Sequence, residues 1–152
     1  MSWNTIQPSD VQAELLPAEV DQLNALEGAT TLLDNILTKT INRVRGQIKA
    51  GGNQLDVAGT IPDQLESETI AIARWRWLIS FPELEAIQTK ARQKAHDDAE
   101  ALLKEIASNK PERPRVELPA QVDTTAAPTN AVAIGRRGRH IHTHSFDKLG
   151  ES

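Results

Sequence analysis

The chain has 152 residues, of which 39% are apolar and 25% charged, with a net charge of −4 and no cysteine. That is the size of one ordinary domain, or of one domain plus an arm. Without cysteine there are no disulfides, thiolate zinc sites, iron–sulfur clusters or cysteine nucleophiles. The acidic balance argues against a general nucleic-acid binder of the basic kind, so attraction to phosphate must be local. Apolar runs are only a few residues long, and Met1-Ser2-Trp3-Asn4 has neither a basic nor an apolar leader pattern. No membrane span or signal peptide is expected.

Composition changes near Asn109. Residues 1–108 hold 46 apolar residues and a net charge of −6, whereas residues 109–152 hold 13 and a net charge of +2. Four of the eight prolines lie in that last segment. The expected organisation is an all-α body over 1–108, a bundle of about four main helices, followed by an extended C-terminal arm over 109–152.

In chain order, Ser9 and Gln12 just after Pro8 have the spacing of a capping box and open a short helix through Leu16. Pro17 starts a second, whose stripe of Val20, Leu23 and Leu26 ends at Gly28. From Thr30 to Ala50 the residues Leu33, Leu37, Thr40, Val44 and Ile48 share one face, flanked by Leu32, Ile36 and Ile41. This is an amphipathic helix stopped by Gly51-Gly52.

A glycine-containing loop leads to Ile61-Pro62, and a third main helix is expected from Pro62 to Phe81. Its apolar arc is wide, with Leu65, Ile72 and Ile79 on one line, Ile70, Trp77 and Phe81 on another, and Ala73 and Trp75 between. Such a helix is packed on two sides, either central in a bundle or against another subunit. The longest helix is expected from Glu83 to Ser108, with Leu84, Ile87, Ala91, Ala95, Leu102 and Ile106 inward, spanning nearly 40 Å at about 1.5 Å per residue. Beyond it only Val116-Glu117-Leu118 suggests a short strand.

Chemistry-bearing residues are sparse. His140, His142 and His144 would share a face of a strand and present imidazoles to a divalent metal. Same-face residues are about 7 Å apart on one strand, and the segment offers no evident second shell, which favours exposed or interface histidines. Arg136, Arg137 and Arg139, with Lys148, could meet phosphate. They lack interleaved aromatics or a groove-entering helix, and docking on an acidic protein surface fits as well.

Arg74-Trp75-Arg76-Trp77 points in four directions on a helix, so core and interface roles are expected, with the arginines paired to acids. Neighbouring carboxylates such as Asp97-Asp98 diverge, and there is no serine elbow, phosphate loop or His-Glu-x-x-His helix. These residues do not describe an enzyme or a cofactor site.

The order of elements resembles bacteriophage head-to-tail connector (adaptor) proteins of the Mu-like and related tailed-phage families. The likeness is carried by Pro8-Ser9-Asp10-Val11, Asp34, Ile61-Pro62, Ile70-Ala71-Ile72-Ala73-Arg74-Trp75 and the run from Asp98 to Ala107. His144-Ser145-Phe146-Asp147-Lys148-Leu149 looks like the closing motif of such chains. Departures are Asn109-Lys110-Pro111 in place of a Gly-Lys after the last helix, and the absence of tyrosine.

The resemblance implies a structural virion protein of the neck, assembled in the host cytoplasm. Its copies would form a ring, commonly of twelve, beneath the portal protein, extending the channel for double-stranded DNA and receiving a stopper or tail protein. It also implies that Arg136, Arg137, Arg139, His140, His142, His144 and Phe146 bind the portal or an adjacent subunit. Ile72, Trp75, Trp77 and Phe81 would then serve core or ring contacts. The competing class is a small helical DNA-binding or regulatory protein gripping phosphate with its basic arm.

Overall fold

The chain divides into two units, Met1–Gln121 and Val122–Ser152. A computed structural model describes residues 2–108, all within the first. The expected strand at Val116-Glu117-Leu118 and the arm lie outside the described residues.

The described part is helix-rich, with a small antiparallel sheet. Strand β1 (Trp3–Thr5) is followed by α1 (Pro8–Ala13), α2 (Pro17–Asn24) and α3 (Ala29–Ala50). Strand β2 (Thr60–Pro62) and a 3-10 turn over Asp63–Leu65 lead into α4 (Glu66–Ile79). A second 3-10 segment, Pro82–Ile87, precedes α5 (Lys90–Ser108).

The first two helices start by one device. Each has proline at its first position and an acid two residues on, whose carboxylate reaches back to the amide before the proline. Gln7 N donates to Asp10 Oδ2 at 2.7 Å, and Leu16 N donates to Glu19 Oε2 at 2.9 Å. The cap is therefore made by Gln7 and Asp10, not by Ser9 and Gln12, and α1 ends at Ala13 rather than Leu16. Proline lacks the amide that a first turn leaves unpaired, and the carboxylate satisfies the one before it.

Helix α3 buries Leu33, Leu37, Thr40, Ile41, Val44 and Ile48, the face that the periodicity marks. It ends in direct contact with the end of α5. Gly51 is buried, and a Cβ there would collide with the Ile106 carbonyl.

The sheet pairs the chain start with the segment after the loop, Trp3 opposite Pro62, Asn4 opposite Ile61 and Thr5 opposite Thr60. Pro62 thus closes a strand instead of opening a helix. Arg45 fastens this clip to α3. Its guanidinium donates to the Thr60 carbonyl at 2.5 Å and the Asp56 carbonyl at 2.8 Å, and lies 5.8 Å from the Trp3 ring centroid.

Helix α4 packs on α1, α3 and α5, so most of its wide apolar arc is covered by its own chain. Ile70, Ile72, Ala73, Trp77 and Leu78 are buried there, and so is Leu65 in the turn just before it. Ile79, expected on an inward line, is 47% exposed.

The single helix expected from Glu83 to Ser108 is broken. Gln88 turns its side-chain amide back to donate to the carbonyls of Leu78 and Phe81, at 3.0 and 3.1 Å, closing the end of α4. The Gln93 amide donates to the Thr89 carbonyl, and a new helix starts. Ala99 and Leu103 are the buried residues of α5, and of the residues expected inward Ile87 is buried, Leu84, Leu102 and Ile106 pack half-buried on the core, Ala95 is half-buried and Ala91 is exposed. At 19 residues α5 spans about 28 Å, not 40.

Candidate functional site

The chemistry-bearing residues of the body gather where α4 meets its neighbours. In the Arg74-Trp75-Arg76-Trp77 run, Trp77 is fully buried and its indole N–H donates to the Ala29 carbonyl at 3.0 Å. That bond fixes the last turn of α4 against the first residue of α3. Ile72 is fully buried in the same core, and Phe81 packs half-buried on it.

Trp75 is half-buried with its ring centroid 6.4 Å from that of His96 on α5. Of the four residues expected in core or ring contacts, Ile72 and Trp77 lie wholly in the body's own core.

The two arginines belong to two separate ion-pair groups. Glu100 of α5 is the centre of one. It accepts from both terminal nitrogens of Arg43 of α3, the first at 2.6 Å, and Arg76 of α4 approaches the same Oε1 at 3.6 Å. His96 Nε2 stands 3.7 Å from the same carboxylate, and its Nδ1 is 3.0 Å from Asp97. One carboxylate thereby ties three helices together, and its bidentate half is the stronger kind of pair.

The second group joins the N-terminal helices to the rest. Arg92 of α5 donates to both oxygens of Glu19 on α2, at 3.0 and 2.8 Å, and to the Ile87 carbonyl at 2.7 Å. Arg74 approaches Glu14 at 3.4 Å. The Arg92 hydrogen bond holds the Glu19 carboxyl below its ordinary value, against the opposing effect of burial. Burial pulls the Arg74 guanidinium down, an effect that Glu14 opposes.

These carboxylates are engaged by guanidinium groups, and the arrangement joins elements instead of presenting a reactive pair. Among the described residues no group of three or more His, Asp or Glu side chains could hold a metal ion. No described helix is long and apolar enough to cross a membrane.

The pairings of Glu19 with Arg92 and of Arg43 with Glu100 span 73 and 57 residues of chain, and no local pattern marks either. Arg136, Arg137, Arg139, His140, His142, His144 and Phe146 lie outside the described residues. A helix-rich body with a two-strand clip is the class that the fold defines. No protein-family model, no curated protein and no solved structure matches the chain.

Proposed function

We propose that this chain is a structural subunit of a tailed-phage neck, a head-to-tail connector whose copies ring the underside of the portal protein. The ring, a dodecamer in the common form of such connectors, extends the channel for double-stranded DNA and presents a seat for the stopper or tail protein. The observation that carries the reading is the order of elements. An aromatic-led start, a proline-opened short helix, a 22-residue helix, a loop closing on Ile61-Pro62, a two-sided helix and a last helix rich in Ala and Leu follow one another. The net charge of −6 over residues 1–108 supports it too, because a wall with excess carboxylate lets phosphate pass without adhesion.

On this reading the body is the rigid part, and the segment holding Arg136, Arg137, Arg139, His140, His142, His144 and Phe146 supplies attachment to the portal or to a neighbouring subunit. The test is to mix the purified full chain with DNA-filled, portal-bearing capsids and image the particles. A ring of added density at the portal vertex, lost on deleting residues 135–152, is the expected result. No added density, together with salt-sensitive retention of free duplex DNA, overturns the reading in favour of a DNA-binding protein.

A further inference from the structure

Charge is segregated along the body. Residues 1–38 contain six acidic residues and no Lys or Arg, whereas residues 35–55 contain Lys39, Arg43, Arg45 and Lys49 and no acid. Internal pairing uses much of this charge. Arg43 is engaged by Glu100, Arg45 by two backbone carbonyls, and Glu19 by Arg92. Lys39 and Lys49 are both exposed, and neither has an ion-pair partner among the described residues. They lie on the solvent face of α3 with Asn42, opposite Leu37, Val44 and Ile48, and about 15 Å apart.

The complementary charge is elsewhere on the same chain. Glu27 precedes α3, and Glu83 and Glu85 lie in the segment after α4; all three are exposed and unpaired among the described residues. They belong to one end of the body, because Trp77 bonds the last turn of α4 to Ala29, and Leu26, Phe81 and Leu84 pack on the same core.

We infer that the lysine face of α3 is a contact surface for a second copy of this chain, which presents its Glu27, Glu83 and Glu85 end to Lys39 and Lys49. The two surfaces lie at different places on one body, so the contact is head-to-tail and propagates from copy to copy. Duplex DNA fits the lysine face less well. Only two cations on it are unengaged, and the excess acid of the body repels phosphate. Closure of these contacts into a ring rests on the connector reading; the pairing of the two surfaces does not.

The test uses the full chain. A carbodiimide, which joins an amine to a carboxylate with no spacer, is expected to link Lys39 or Lys49 to Glu27, Glu83 or Glu85 between isotopically labelled and unlabelled copies. In sedimentation, self-association is expected to weaken between about 0.05 M and 0.5 M salt. K39E/K49E and E83K/E85K are each expected to weaken it by about tenfold or more. An equimolar mixture of the two variants restores it, because each then meets the opposite sign.

Variants that associate like the wild type, a mixture that fails to recover, or a wild type that associates neither in low salt nor on capsids overturns the inference. DNA retention lost only in K39E/K49E, without self-association, does so in favour of a phosphate contact. Salt-sensitive self-association without attachment to portal-bearing capsids leaves this contact standing and removes the connector reading. Capsid-bound rings formed equally well by both variants have the opposite meaning.

Discussion

Arg92 clasps Glu19 through both carboxylate oxygens, at 3.0 and 2.8 Å, and so ties the last described helix to the second across 73 residues of chain. Glu19 has a second duty, since the same carboxylate accepts the Leu16 amide that opens α2. A single side chain therefore sets both where a helix starts and what it packs against.

This double use gives a pH dependence with a definite sign. The folded carboxyl lies below its ordinary value of 4.5, chiefly through the Arg92 hydrogen bond. Its contribution to stability is present above the unfolded value and lost as pH falls through the folded one. Glu19→Gln is expected to cost about 1–3 kcal/mol at neutral pH and to flatten the loss of stability on the acid side of 4.5. Urea unfolding of both proteins at neutral pH and near pH 3 checks this; parallel acid losses in the two would contradict it.

Glu100 should behave as a shared partner. Glu100→Gln removes the charge that Arg43 and Arg76 both face, and about 1–2 kcal/mol is expected, because the Arg43 and Arg76 side chains are 38% and 31% exposed. Arg43→Lys is expected to recover little, since an ammonium cannot make the bidentate pair. A double-mutant cycle between positions 43 and 100 measures the coupling, and additivity would show that the bidentate geometry contributes nothing.

Two glycines in or next to one helix should respond with opposite signs. Gly51→Ala puts a methyl into the Ile106 carbonyl and is expected to cost about 1–3 kcal/mol, since backbone on both sides must move. Gly46 is exposed within α3 with open space around its Cβ position. Gly46→Ala is expected to stabilise by about 0.5–1 kcal/mol through helix propensity. Thermal unfolding of the pair decides it, and a shared sign would refute the packing account of Gly51.

Buried polar atoms offer a further pair. Trp77→Phe removes the indole that bonds the Ala29 carbonyl, leaving a gap and an unpaired acceptor, with about 2–3 kcal/mol expected to be lost. The Thr40 hydroxyl is fully buried and has no hydrogen-bond partner among the described residues. Thr40→Val keeps the shape, removes that unpaired group, and is expected to be neutral or stabilising by up to about 1 kcal/mol. A large loss from Thr40→Val in denaturant titration would mean that the hydroxyl has a partner.

What the sequence determined by itself is local. The period of α3 marks Leu33, Leu37, Thr40, Val44 and Ile48 as inward, and all five are buried, because a face repeating every 3.6 residues is a property of neighbours in the chain. Pro17 marks a helix start for the same reason, whereas the first helix begins at Pro8, one residue before the Ser9 that its spacing suggested as the cap.

Tertiary structure decided whatever depends on distant partners. Three-residue strands have too little alternation to announce the pairing of Trp3 with Pro62. The apolar pattern runs through Gln88, and only the carbonyls at the end of α4 draw its side chain back and split the helix. The acids and arginines were visible as charges, but which met which was fixed by the packing of α2, α3, α4 and α5. That same packing left Lys39 and Lys49 without partners among the described residues. A two-faced α4 left open whether its second face met another copy or its own chain, and the body answered by burying Trp77 itself.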